Sequence, residues 1–331
     1  MRFDELKQKL SKFGFRFCIL RMKEKQKMDS NKLEERMKVM SNQIQVLKPE
    51  KLDMIQSAKK KAFFLDLDGT FWDSQIVPDS AWRAVKQARE NGHLVFVNTG
   101  RPAHFIPQFL WDAKLDGYCL AAGMDLYAKD QHLVSFFVKP ELTKKMVQYL
   151  EEHDFGYALE TAKGIYETQQ YIDRHDRYFQ KKGKEIKGNR HLMSEITEEA
   201  YNYVLKISFN ADTEKPLRDA ASQIGFDILE YHHRFNPEGD DSDFYRGELT
   251  WNAHNKANAM ETVLSAMNLD RDQYVIVAIG DAENDIPMLE AADFAICMGH
   301  ANDEVEAVSD VKTTLCQDDG IWNAFALLQV L

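Results

Sequence analysis

From Lys61 onward, short apolar runs alternate with amphipathic helical stretches, and few folds accept that alternation. Strands apolar on both faces must be covered on both faces, which a parallel sheet flanked by helices provides. The first run, Ala62-Phe63-Phe64-Leu65, leads straight into Asp66-Leu67-Asp68-Gly69-Thr70. Ser80 to Asn91 follows as a helix stopped by Gly92. Leu94-Val95-Phe96-Val97 is then a second strand, ending in Asn98-Thr99-Gly100-Arg101-Pro102. Much later, a helix over Asn255 to Met267 precedes the strand Tyr274 to Ile279, which delivers Gly280-Asp281-Ala282-Glu283-Asn284-Asp285. Phe294 to Met298 is one more short strand. The fold class expected is α/β, a Rossmann-like doubly wound parallel sheet.

In such sheets ligands sit outside the carboxyl ends of the strands, which is where these polar clusters fall. Asp66 and Asp68 are two residues apart, and as the strand unwinds both can face one crevice. Two carboxylates that close repel, and a hard divalent cation removes the conflict. Mg²⁺ suits the task, because it takes one or two carboxylates together with phosphate oxygens. Asp281 and Asp285 could supply further carboxylates, with Asn284 as a neutral hydrogen-bonding partner. Thr99 can donate a hydroxyl hydrogen bond to a phosphoryl oxygen, and Gly100 lets the backbone approach closely. Lys256 is positioned to bring positive charge to a dianionic phosphate. Each feature also has an ordinary reading: Asp-Gly as a turn, Thr-Gly-Arg-Pro as a loop, a helix lysine as a solvated one.

The 331 residues, 44% of them hydrophobic, can bury a large core, and the length suggests two domains. The net charge of −11 is unevenly spread. Met1 to Lys61 carries 17 Lys and Arg against 8 Asp and Glu, a net +9 that leaves −20 for the remainder. An acidic body argues against nucleic acid as a partner. The basic arm suits an acidic partner or surface, or is an appended leader. It lacks the long apolar centre and small-residue cleavage site of a secretory signal. Within it, Ser30 to Gln45 and Pro49 to Lys59 read as helices. No apolar run reaches the roughly 18 residues of a transmembrane helix. Cys18, Cys119, Cys297 and Cys316 are widely spaced, as in a reduced, cytoplasmic protein.

Taken together, Asp66-x-Asp68-Gly69-Thr70, Thr99-Gly100-Arg101, Lys256 and Gly280-Asp281-x-x-Asn284-Asp285 resemble, in order and strand context, the haloacid dehalogenase superfamily of phosphotransferases. Met298-Gly299-His300-Ala301, followed by Asp318-Asp319-Gly320, resembles the carboxyl end of its Cof-like sugar-phosphatase branch. The resemblance spans about Lys61 to Leu331. About 30 residues separate the Asp66 and Thr99 motifs, whereas about 155 separate Thr99 from Lys256, so an inserted domain must lie in the second gap. In family terms it looks like a C2-type cap of the α+β B variety. Its expected contents are helices at Glu141 to Glu152 and Thr213 to Ile224, with strands near Tyr157 to Glu160, Val204 to Phe209, Asp227 to Tyr231 and Phe244 to Leu249. The organisation expected is an extension over 1–60, a core over 61–137 and 247–331, and a substrate-specificity cap over 138–246.

The resemblance implies a Mg²⁺-dependent phosphatase of small phosphorylated metabolites, such as sugar phosphates or phosphorylated cofactors, working through an aspartyl-phosphate. In it Asp66 is the nucleophile and Asp68 the acid/base. Asp66, the backbone carbonyl of Asp68 and Asp281 hold the metal, and Asp285 is an outer residue or an alternative ligand. Gly69, Thr99, Gly100, Lys256 and Asn284 border the phosphate, and Arg101 either contacts substrate or holds its loop. A phosphomutase, a dedicated disaccharide-phosphate phosphatase and a non-catalytic scaffold retaining the fold stand as alternatives. One departure is Ala122-Gly123-Met124, where relatives commonly carry Asn-Gly-Ala: the turn glycine stays and an amide near the substrate is lost. Asp240, Asp241 and Asp243 lack the pattern of a calcium loop. His232 and His233 would point to opposite faces of a strand, and Tyr166, Tyr171, Tyr178 and Phe179 read as cap core.

Overall fold

The computed structural model describes residues 44–57, 60–181, 189–231, 245–251 and 254–331. The expected helix before Gln45, Cys18, His232, His233, Asp240, Asp241 and Asp243 lie outside the described residues, as do the side chains of Tyr178 and Phe179. Two compact units divide the chain: one takes the residues up to 97 and from 267 on, the other the continuous stretch 98–266. The first unit starts with β1 (Gln45–Val46), α1 (Pro49–Ser57), β2 (Lys61–Leu65), α2 (Asp79–Glu90) and β3 (Leu94–Asn98). The second unit opens with α3 (Gln108–Asp112), β4 (Gly117–Leu120), β5 (Asp125–Ala128), β6 (Gln131–Ser135), α4 (Pro140–Glu152) and β7 (Gly156–Thr161). It continues through β8 (Ile165–Glu167), α5 (Gln169–Lys181), β9 (Arg190–Leu192), β10 (Val204–Ala211), α6 (Arg218–Ile224), β11 (Phe226–Glu230), β12 (Tyr245–Trp251) and α7 (Lys256–Ala266). The chain then returns to the first unit with β13 (Val275–Gly280), α8 (Ile286–Ala291), β14 (Phe294–Cys297), α9 (Asp303–Val308), β15 (Val311–Lys312) and α10 (Gly320–Leu327).

In the first unit the strands run in the order β1-β15-β14-β13-β2-β3. All neighbours from β15 to β3 are parallel. Every residue of β2 is buried, as the unbroken apolar run requires. On α2 the buried Ala81, Ala84, Val85 and Ala88 recur every three or four residues, forming one apolar stripe. Residues 45–57, assigned above to the extension, are built into this unit. β1 pairs antiparallel with β15, and α1 buries Leu52 and Ile55. Lys48 and Lys51 lie 3.3 and 3.1 Å from the buried carboxylate of Asp310.

The second unit holds an antiparallel β4-β5-β6 arrangement and a six-stranded sheet in the order β11-β12-β10-β7-β8-β9. Strand alternation sorts the larger sheet into two faces. Tyr157, Leu159, Ile207, Phe209 and Leu249 join an apolar cluster with Met146, Val147 and Leu150 of α4 and Ala221 of α6. The same cluster takes in Ala121, Met124 and Val138. Glu160, Lys206, Ser208 and Glu248 belong to the alternate, polar set. α6 starts at Arg218, five residues later than expected, because Pro216 disfavours helical geometry in the residue before it. It ends at Gly225, whose φ of +107° is the left-handed conformation that closes a helix. Tyr166 packs on the apolar cluster, but Tyr171 does not join it: its carbonyl accepts from the side-chain amide of Asn210 on the polar set. No helix of the described residues is long and apolar enough to cross a membrane. Cys119, Cys297 and Cys316 are buried free thiols.

Candidate active site

In the first unit the site grows out of the register between β2 and β13. Leu65 pairs with Ile279, and the Asp66 N–H continues the ladder to the Ile279 carbonyl at 2.9 Å. Asp66 and Asp281 therefore leave adjacent parallel strands at nearly the same level. The chain turns at once after Asp66: Phe71 N–H donates to the Asp66 carbonyl at 3.2 Å, and Gly69 N–H to that of Trp72 at 2.9 Å. Gly69 has φ +90°, and a Cβ there would stand 2.5 Å from Asp281 Oδ2, so both conformation and space demand glycine.

Asp66, Asp281 and Asp285 are all buried, and each offers a carboxylate oxygen within 4.8 Å of the others. Thr70 Oγ1 donates to Asp281 Oδ1 at 2.7 Å, and His300 Nε2 lies 3.1 Å from Asp281 Oδ2. Asp285 Oδ2 accepts from the N–H groups of Asp281 and Ala282 at 2.8 and 3.1 Å, which fixes the loop that presents Asp281. Asn284 sits half-buried in the same turn. Asp68 is exposed and stands outside the three-carboxylate group; its Oδ1 accepts from the Trp72 indole N–H at 3.0 Å. Three carboxylates gathered in a buried site repel one another strongly, and an oxygen-seeking divalent cation is the group such a donor set fits.

In the second unit Thr99 is buried, and its N–H donates to the Cys119 carbonyl at 2.9 Å. Its Oγ1 accepts from Arg101 N–H at 3.2 Å. The turn at Ala121, Ala122 and Gly123 clasps this loop: Ala121 N–H bonds the Arg101 carbonyl at 2.9 Å and Ala122 N–H that of Thr99 at 3.1 Å. All three turn residues have positive φ, at 49°, 55° and 91°. Lys256 opens α7 and is buried rather than solvated, at 1% exposure. Asn255 Oδ1 accepts from Ala257 and Asn258 N–H at 2.9 and 3.1 Å, and Asn98 Nδ2 donates to the Lys256 carbonyl at 2.8 Å. The strand end at Asn98 and the start of α7 are thereby joined. Gly100 and Arg101 are half-buried.

A sequence model of the haloacid dehalogenase-like hydrolase family matches residues 63–325, and the chain belongs to that family. The 5-amino-6-(5-phospho-D-ribitylamino)uracil phosphatase YcsE of Bacillus subtilis (strain 168) is 22% identical over 268 residues, 80% of this chain and 94% of the relative. Among solved structures, the subclass IIB sugar phosphatase BT4131 of the same superfamily superposes with a TM-score of 0.67 at 22% identity, over 82% of this chain and all of the other. The phosphatase BT1666 from Bacteroides thetaiotaomicron gives a TM-score of 0.68 at 21% identity, over 83% and 97% of the two chains.

Several residues now at the site carried little signal. Thr70 stood in the first motif and His300 in the carboxyl-terminal stretch, but neither showed which carboxylate it would hold. The contact of Trp72 with Asp68 depends on the turn that follows β2.

Proposed function

We propose that this hydrolase is a magnesium-dependent phosphatase of small phosphorylated metabolites that works through an aspartyl-phosphate on Asp66. The observation that carries the reading is the buried convergence of Asp66, Asp281 and Asp285 within 4.8 Å at the carboxyl ends of β2 and β13. Asp66, the main-chain carbonyl of Asp68 and Asp281 would hold Mg²⁺, with Asp285 fixing the loop or serving as a further ligand. When bound, the ion offsets the negative charge of carboxylates and phosphate as the transition state spreads charge over the phosphoryl oxygens.

The Asp66 carboxylate attacks phosphorus, and the bond from phosphorus to the leaving oxygen breaks. Asp68, steered by the Trp72 indole N–H, gives its proton to that oxygen. It then takes a proton from the water that attacks phosphorus, releasing inorganic phosphate and restoring Asp66. Dividing one displacement into two is the advantage of a covalent intermediate. By the family resemblance the Thr99 hydroxyl, Gly100 main chain, Lys256 ammonium and Asn284 amide would serve the phosphoryl oxygens, and Arg101 would steady its loop or meet the substrate. The six-stranded sheet from β7 to β12, with α4 to α6, acts as the cap that reads the leaving group. Buried free thiols accord with a cytoplasmic setting.

The test is Asp66→Asn against a panel of sugar phosphates, pyridoxal phosphate, flavin mononucleotide, phosphoribitylaminouracil and p-nitrophenyl phosphate. Wild type should turn over at least one ester with Mg²⁺ and form a beryllofluoride adduct at Asp66. The variant should fold normally and do neither; substantial residual turnover would sink the mechanism.

A further inference from the structure

The polar set of the six-stranded sheet contains an ionic group that the chemistry above does not use. Lys206 Nζ lies 2.5 Å from Glu248 Oε1 and 3.5 Å from Glu160 Oε2, and Ser208 Oγ donates to Glu160 Oε1 at 2.5 Å. The side chains are 3%, 13% and 10% exposed for Lys206, Glu248 and Glu160. Burying such a group is expensive, and apolar side chains of similar volume generally serve stability as well or better. Its location suggests another use. A Cβ on Gly100 would stand 3.5 Å from Lys206 Nζ and 3.7 Å from Glu248 Oε1, so the Thr99-Gly100-Arg101 loop runs along this group. Two residues after Arg101 comes a further tie, His104 Nε2 lying 3.2 Å from the carbonyl of Thr161, the neighbour of Glu160.

Resting on the phosphatase reading, we propose that the Lys206–Glu248 pair, with Glu160 and Ser208, is the surface that selects the leaving group: it takes neutral, hydroxyl-bearing groups and turns away those with a second anion. A ligand hydroxyl can donate to a carboxylate here and accept from the ammonium, which has three donors to share. A second phosphate or carboxylate meets Lys206 already paired, with two carboxyl groups beside it. Burial is the largest influence on Glu160 and raises its pKa, the Glu248 charge adding to the rise against the pull of Lys206. The phenol of Tyr231 is likewise pushed up, first by burial and then by Glu248. The group as a whole carries no excess positive charge.

The experiment compares kcat/KM for fructose 6-phosphate and fructose 1,6-bisphosphate in wild type and Glu248→Gln, in the full chain with Mg²⁺. Wild type should favour the monophosphate by about tenfold or more, like-charge juxtaposition being the discriminating force. Glu248→Gln removes one of the two carboxylates facing a second anion and should lower that preference at least fivefold, a ratio that a purely structural role would not move. A smaller change in a variant that melts like wild type overturns the proposal. So does equal use of the two esters by wild type, which decides the matter if the variant fails to fold. Turnover of the panel of esters by wild type separates the cases: if none is hydrolysed the phosphatase reading falls and this one with it, whereas with turnover and an unmoved ratio only the leaving-group surface falls.

Discussion

At the scale of single residues, two backbone conformations give opposite expectations. Gly69 combines φ +90° with a space that places any Cβ 2.5 Å from Asp281 Oδ2. Gly69→Ala should push Asp281 aside, costing about 1–3 kcal/mol in denaturant unfolding and at least about tenfold in kcat/KM at limiting Mg²⁺. Wild-type values in both assays would show that the close approach is unimportant. Ala122, at φ +55°, is a side chain held where L-residues pay about 1 kcal/mol. Ala122→Gly should therefore stabilise the protein by about 0.5 kcal/mol, the relief exceeding the extra chain entropy. An unfolding midpoint below wild type would refute this. Both positions were legible as motif residues: Gly69 by its turn, Ala122 as a departure from the family's asparagine. The strain at Ala122 was not, since its turn is held by hydrogen bonds from Ala121 and Ala122 to Arg101 and Thr99, about twenty positions away in sequence.

At the scale of elements, the strands and helices that deliver the site follow closely from apolar runs and helix stops. α2, β3, α4, β7 and β13 begin and end within two residues of expectation. What the expectation omits is short or mostly polar: α5 over Gln169–Lys181 spaces Tyr171, Ile172, Tyr178 and Phe179 like a helix face but within a largely polar run, and β8 and β9 are three residues each. In the segment 45–57 the helix over Pro49–Ser57 follows from the sequence, whereas its attachment to the sheet does not: a two-residue strand has no signal of its own and exists only through its partner at Val311–Lys312. Its attachment is nonetheless specific. Leu47 and Lys48 N–H donate to the Asp310 carbonyl at 2.9 and 3.1 Å, and the Asp310 carboxylate also accepts from Ala295 N–H at 2.9 Å. Deleting residues 1–43 should leave the melting temperature unchanged and ester turnover within a few-fold of the full chain. Extending the deletion through Ser57 removes buried Leu52 and Ile55 and should lower stability by several kcal/mol, at about 1.5–3 kcal/mol per buried aliphatic side chain. Equal melting of the two truncations would show that the strap is dispensable.

At the scale of the whole molecule, acid should act on both units through imidazoles kept neutral inside them. In the first, burial and then the nearby Lys61 charge hold His93 down at about 4, and its Nδ1 accepts from Lys61 N–H at 3.1 Å. In the second, burial followed by the charges of Arg190 and Arg246 holds His175 at about 4. Unfolded, both would titrate near 6.5, so the unfolded chain binds more protons between the two values. A depressed folded pKa gives stability that is complete above pH 6.5 and is lost as pH falls toward 4. The loss should be on the order of 2 kcal/mol for each histidine. Measured in excess chelator, so that no metal competes with protons, unfolding free energy should decline through this window. His93→Gln keeps an acceptor for Lys61 N–H but cannot titrate, and should remove its share of the decline, with His175 and the likewise lowered His104 carrying the rest. Lys61→Met, which deletes the adjacent charge, should move His93 back toward its ordinary value and soften the same slope. A decline of unchanged steepness in both variants would mean that carboxylates, not these histidines, govern the acid limb.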